Sequence, residues 1–218
     1  LCLSDETARL TLASAMERLG QKTEAARQLL LVTRTGAFEA PHTLTAHERL
    51  AHDLIAQEKF AEAAQRLQRS TFNTVGPRIT FAEWSAYIGI PALIERCHVL
   101  ALLKDNKPAE ALERAQKVLA ISPGDVDLAI EVVPRLEAAG RRAEADKLYA
   151  QFEDFHRSML RKYADSPMHL NNVAWLAAKC DRGLDRALAD ARKAVELEPQ
   201  SPGYIDTLAE VLFRKGQT

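Results

Sequence analysis

Cysteine is scarce: Cys2, Cys97 and Cys180 are the only three, and no two of them form a C-x-x-C pair. An odd number at these spacings excludes a disulfide framework and a zinc site of the usual thiolate spacing. The three read as two half-buried thiols and one beside a chain end. Glycine and proline number nine each, too few for a low-complexity chain, and every glycine stands alone, so no phosphate-cradling loop exists. Neither sign of charge dominates, since 29 Lys and Arg face 30 Asp and Glu. That balance argues against nucleic acid or an anionic membrane surface as partner. The uncharged stretch at 85–94 is far too short to cross a bilayer, so direct membrane insertion is not expected. There is no G-x-S-x-G elbow and no H-E-x-x-H pair. A catalytic site is therefore not expected, nor a cofactor.

Alanine is abundant. The 36 alanines stand against 13 aromatic residues in a 218-residue chain that is 47% apolar. This composition favours closely packed helices around a substantial core. A short frame recurs along the sequence: a small residue, a turn residue seven places on, then an alanine five further. It reads Ala13, Gly20, Ala25, then Ala51, Glu58, Ala63, then Val99, Asn106, Ala111, then Val133, Gly140, Ala145. A fifth copy runs from Ala174 to Ala187 with one extra residue around Asp181-Arg182-Gly183, and a sixth begins with Ala209 and Gly216.

Each copy reads as helix–turn–helix. Ser166-Pro167 and Ser201-Pro202 offer an N-cap serine followed by proline at the first helical position, and Asp125 offers another cap. Leu128, Val132, Val133 and Leu136 recur at helical spacing until Gly140, where a left-handed residue ends the helix. The small residues let paired helices approach closely, and each pair leaves an apolar face for its neighbour to cover.

These residues resemble the tetratricopeptide repeat (TPR) family, with its period of about 34 residues. The likeness is most specific in Ala111-Leu112…Ala115…Val118-Leu119…Pro123 and Ala187-Leu188…Ala191…Ala194-Val195…Pro199. Asn171-Asn172-Val173-Ala174-Trp175-Leu176-Ala177 and Gly203-Tyr204-Ile205-Asp206-Thr207-Leu208-Ala209-Glu210 are similar to a repeat pair that ends many bacterial arrays. The resemblance implies an all-α solenoid, a right-handed superhelix of antiparallel helix pairs. Its repeats are expected at 6–40, 44–70, 92–125, 126–165, 167–201 and 202–218, the last with a first helix only.

The array is irregular, because its frame alanines are 38, 48, 34 and 42 residues apart. The largest departure, at 71–91, holds Phe72, Phe81, Trp84 and Tyr87. Thr80-x-x-Glu83 reads there as a capping box opening a short helix that ends at Gly89, before Pro91 starts the next. Pro134 falls inside a first helix, where it costs a hydrogen bond.

Metal chemistry is weakly represented. Glu95-x-x-His98 and Glu153-x-x-His156 imitate half of a di-iron carboxylate signature, but this fold places them on helices of different roles, and no metal is expected. His42, His47 and His52 lie five apart, off the spacing that stacks two ligands on one helix face, and read as surface or groove residues.

In the family the first helix of each pair lines the concave ligand surface. By position that surface carries Ser14, His52, Leu100, Pro134, Trp175 and Glu210. One turn earlier it carries Leu10, Glu48, Arg96, Ile130, Asn171 and Asp206. Among these, Glu48, His52, Arg96, Leu100, Asn171, Trp175, Asp206 and Glu210 are the candidate partner-binding residues. The mixture of apolar anchors and both charges suits an extended peptide or a partner helix. The subfamily that clamps acidic tails carries an Asn that every copy here lacks, so the clamp is not implied. Two readings of function stand. One is a non-catalytic interaction scaffold; the other is a repeat module of a larger enzyme or membrane protein, with further domains of the same polypeptide as partners. The second rests on a start without Met and on a final first helix whose apolar face, along Ile205, Leu208 and Leu212, is expected to be open. Compartment is left between bacterial cytoplasm and periplasm.

Overall fold

The computed structural model describes residues 5–36, 40–71 and 81–217, and among them the regular structure is α-helical throughout. The helices are α1 (Glu6–Arg18), α2 (Lys22–Thr35), α3 (Pro41–Ala56), α4 (Phe60–Thr71), α5 (Phe81–Lys104) and α6 (Pro108–Ile121). They continue as α7 (Val126–Ala138), α8 (Arg142–Lys162), α9 (Pro167–Lys179), α10 (Leu184–Leu197) and α11 (Pro202–Arg214). The chain divides into two compact units, Leu1–Asp105 and Asn106–Thr218. In the first, α1 packs on α2, α3 on α4, and α4 on α5; in the second, α7 packs on α8 and α9 on α10.

Helix starts follow local chemistry. The Asp5 carboxylate accepts the N–H groups of Thr7 and Ala8 at 2.9 and 3.3 Å, and that of Asp125 accepts from Leu128 N–H at 3.0 Å. Proline opens α3, α6, α9 and α11, where its fixed φ suits a first turn that needs no N–H. Ser166 and Ser201 do occupy N-cap positions, but their hydroxyls make no capping bond. Their backbone carbonyls accept the first helical N–H groups instead, from Leu170 at 3.1 Å and Ile205 at 3.2 Å.

Helix ends within the pairs share one device. The turn residues of the frame take left-handed backbone: Gly20 (φ +75°), Glu58 (+54°), Asn106 (+58°), Gly140 (+72°) and Gly216 (+68°). The longer turn uses two such residues, Asp181 (+52°) and Gly183 (+54°). The N–H that follows the left-handed residue returns to a carbonyl five residues back: Gln21 to Met16, Lys59 to Leu54, Arg141 to Leu136 and Gln217 to Leu212, at 2.8–2.9 Å. These bonds satisfy carbonyls that the helix end would otherwise orphan.

The small residues of the five complete copies are buried, whereas Ala209, which opens the sixth, is exposed. Ala13 and Ala25 share one apolar cluster with Leu29, Val32, Ala46 and Leu50. Ala51 and Ala63 share another with Leu44, Ala64, Leu67, Ile90, Ile94 and Cys97. In the second unit Ala174 and Ala187 share a third with Ala177, Ala178, Leu188, Ala191 and Val211. Val133 and Ala145 are fully buried as well. Leu208 and Leu212 pack against the third cluster, so the open stripe expected along α11 shrinks to Ile205, 49% exposed, joined by Phe213 at 66%.

The region before residue 104 departs from expectation. No helix ends at Gly89 and none starts at Pro91; α5 runs unbroken through both. Proline removes one hydrogen bond from a helix, but α5 buries Ile90, Ile94 and Cys97 against α3 and α4, and that packing outweighs the loss. Cys2, Phe72 and Thr80, with the proposed capping box, lie outside the described residues. Pro134 lies inside α7 as expected.

Packing and turn geometry are open to mutational test. Ala145 and Ala187 are 0% and 1% exposed, so Ala145→Trp and Ala187→Trp should each lower unfolding stability by about 1–3 kcal/mol through overpacking. Urea melts that leave both unchanged would refute the register. A Cβ at Gly140 would meet no atom within 4 Å, so the cost of Gly140→Val, about 1 kcal/mol, is purely that of the left-handed backbone. By the same reasoning Glu58→Gly should raise the melting temperature, and a fall would show that the Glu58 side chain matters more than its φ.

Candidate functional site

In the second unit α9 and α11 lie side by side. Asn171, Trp175 and Lys179 recur every fourth residue on α9, and Asp206, Glu210 and Arg214 do so on α11, so each set occupies one helix face. Trp175 is half-buried, and Lys179 Nζ stands 4.5 Å from its ring centroid. The same Nζ reaches Glu210 Oε1 at 3.2 Å, and Arg214 Nε donates to that oxygen at 3.0 Å. Arg214 first, then Lys179, hold the Glu210 carboxyl below its usual pKa. An unbroken chain of contacts therefore runs from Trp175 across to Arg214. Asn171 is half-buried, and its Oδ1 is shut from solvent without a hydrogen-bond partner. Asp206 is exposed.

Four of the eight candidate residues, Asn171, Trp175, Asp206 and Glu210, thus share this unit, beside two further charged residues that the sequence reading does not name. Lys179 and Arg214 stand one turn beyond Trp175 and Glu210, so continuing the i, i+4 rows would have found them.

In the first unit the candidates separate. On α3, His52 is exposed and Glu48 half-buried, its carboxyl raised above its ordinary pKa by burial. On α5, Arg96 is half-buried, but Leu100 is only 1% exposed. Leu100 belongs to the core and is removed from the candidate surface, because an apolar side chain at that place gains more from packing than from facing water. On α1 the Ser14 hydroxyl is used within its own helix, donating to the Leu10 carbonyl at 3.0 Å.

The residues weighed for metal or nucleophilic chemistry have other neighbours. His98 Nε2 lies 3.1 Å from Gln68 Nε2, and His42 Nε2 lies 3.1 Å from the Thr7 hydroxyl. Glu153 sits 3.5 Å from Arg157, which also reaches Asp190 at 2.7 Å. Among the described residues no three His, Cys, Asp or Glu side chains converge as a metal set. Burial pushes the Cys180 thiol up to about 12, which keeps it protonated and inert.

His156 is the notable case. It is buried, with Nε2 3.3 Å from the Gly124 carbonyl and Nδ1 2.9 Å from His169 Nδ1. The carbonyl can only accept, so Nε2 carries the hydrogen of His156 and Nδ1 accepts from His169. Phe155 stands edge-on to both rings, and a Cβ on Gly124 would come within 2.6 Å of it. Burial, then the neighbouring His169, lower the His156 pKa to about 4.

A folded pKa below the unfolded value means that stability is full above about pH 6.5 and is lost as pH falls towards 4. The loss attributable to His156 should be about 1–3 kcal/mol. NMR titration of the His156 ring should give a midpoint near 4, and a midpoint at or above 6.5 would contradict the burial account.

No family model matches the chain, and no curated protein does. Solved structures do resemble it. A thermophilic TPR protein of Thermus thermophilus superposes with a TM-score of 0.52 at 20% identity, covering 96% of this chain and 100% of the other. PilF of Pseudomonas aeruginosa gives 0.47 at 19% identity, covering 95% and 82%. YrrB, a TPR protein with an unusual peptide-binding site, gives 0.43 at 13%, covering 93% and 91%. The first of these, with the helix pairs and their small-residue contacts, establishes the architecture. The chain has the tetratricopeptide-repeat fold, an all-α solenoid of adjacent helix pairs.

Proposed function

We propose that this chain is a non-catalytic interaction module that holds an extended peptide or a partner helix against the α9–α11 face of its second unit. The observation that carries this reading is Trp175, half-buried beneath Lys179 and bordered by Glu210 and Arg214. An aromatic side chain with part of its surface open supplies apolar anchoring, and charges of both signs around it select the partner's register. Glu48, His52 and Arg96 in the first unit are proposed as secondary contacts. The near-neutral charge argues against nucleic acid. No helix of the described residues is long and apolar enough to cross a membrane.

The test is selection of peptides from a random display library, followed by NMR mapping of the best binder on the isotope-labelled chain. Shifts should centre on Asn171, Trp175, Lys179 and Glu210, and Trp175→Ala should weaken binding at least tenfold with the fold intact, a loss of about 1.4 kcal/mol. Binders that map elsewhere, or that ignore Trp175→Ala, would overturn the assignment.

A further inference from the structure

The first unit contains a polar hollow of about 400 Å³, whose walls include neither Glu48 nor His52. Three helices build it. Leu30, Thr33 and Arg34 come from the end of α2, His47 and Leu54 from α3, and Glu62, Gln65, Arg66 and Arg69 from one stripe of α4. It adjoins a larger, mainly apolar hollow of about 550 Å³, and the two share Leu30, Leu54 and Arg66.

The electrostatics of the smaller hollow are unbalanced. Arg34, Arg66 and Arg69 line it against a single carboxylate, Glu62, leaving an excess of two positive charges (three minus one). Among the described residues none of these arginines closes an ion pair. Burial and then Arg69 pull the Arg66 guanidinium below its ordinary pKa, with Glu62 opposing. His47 is held below its ordinary pKa by burial, Arg66 and Arg69, and is neutral at pH 7. Its Nδ1 is closed off from solvent and has no hydrogen-bond partner. Arg34 and Arg69 stand in the last turns of α2 and α4, where helix dipoles favour cations. That preference does not account for Arg66, which bears the cost of burial beside a like charge.

We propose that this hollow binds the phosphate group of a small organic phosphomonoester, whose apolar remainder enters the adjoining hollow. A phosphomonoester carries close to two negative charges at neutral pH, matching the excess. Guanidinium forks fit its oxygens bidentately. Leu30, Leu50, Leu54 and Ala26 line the apolar side and suit an aromatic or short aliphatic group. The site is independent of the α9–α11 surface.

The experiment is calorimetric titration of the full chain at pH 7.5 with phenyl phosphate, inorganic phosphate and sodium acetate in turn. Phenyl phosphate should bind saturably and at least tenfold tighter than inorganic phosphate, with acetate weaker than both. Arg66→Gln should reduce phenyl phosphate affinity at least tenfold, and Arg18→Gln, at an exposed residue outside both hollows, should not. If Arg66→Gln melts early, the more exposed Arg34→Gln and Arg69→Gln replace it, each expected to lower affinity at least threefold. No saturable binding up to about 10 mM, near the weakest affinity worth assigning to a site, would overturn the proposal. So would equal affinity for acetate, or affinity unchanged in the arginine variants.

Discussion

Close contact between two small side chains, locked by a left-handed residue between them, is the constraint on which the rest of this structure depends. A helix ends in the left-handed conformation, the next N–H folds back onto its last free carbonyl, and the chain reverses within a few residues. Reversal that tight brings two helices together only if the facing residues are small. Ala13 meets the same cluster as Ala25, Ala51 as Ala63, and Ala174 as Ala187. The turn thus sets the spacing and the alanines make it habitable. The constraint is strong enough to hold Glu58 at positive φ, at a cost of about 1 kcal/mol that glycine would avoid, and it places Asn106 and Asp181 there too, where short polar side chains are better tolerated.

Electrostatics then ties each pair to the next element. In the second unit Arg182, in the lengthened turn, reaches Glu137 at the end of α7 and Asp146 in α8, and lies over the Tyr149 ring at 4.6 Å. Arg157 on α8 pairs with Asp190 on α10, both largely sheltered from water. Sheltered pairs of this kind add little net stability compared with apolar packing, but losing one partner is expensive because it strands a buried charge. In the first unit Arg49 plays a similar part, pairing with Glu17 at 2.7 Å and donating to the Leu10 carbonyl at 3.3 Å. The apolar clusters supply the free energy of packing.

The repeat frame is legible because it is local: its three positions span thirteen residues, as from Ala13 to Ala25, and small residues with turn formers leave a distinct pattern. The Schellman-type ends can be read even where glycine is absent, since Glu58 and Asn106 fall at the position Gly20 and Gly140 occupy. Reading fails where tertiary packing overrides local preference. Gly89 and Pro91 look like punctuation, yet α5 continues through them because Ile90, Ile94 and Cys97 are needed in the core. Leu100 lies deeper than its spacing implies for a related reason, since helical spacing gives the face of a residue but not how deeply its helix is covered. The cationic hollow has no sequence signal at all, because its arginines sit on α2 and α4, more than thirty residues apart, and belong to no common motif. The Trp175 face lies between these cases: its rows are visible, while the bridge from Lys179 to Glu210 requires the two helices to be seen together.

Both functional assignments rest on the same scaffold, one on the face of α9 and α11, the other among α2, α3 and α4. If the pairing register were shifted by a residue, Trp175 would leave its face and the arginine stripe of α4 would rotate off the hollow. The most direct test of that register is a methyl-resolved NOE experiment on alanine-labelled protein. The account predicts cross-peaks between the methyl groups of Ala13 and Ala25, of Ala51 and Ala63, and of Ala174 and Ala187. Their absence, with strong cross-peaks from the neighbouring alanines Ala15, Ala61 or Ala189 instead, would contradict it.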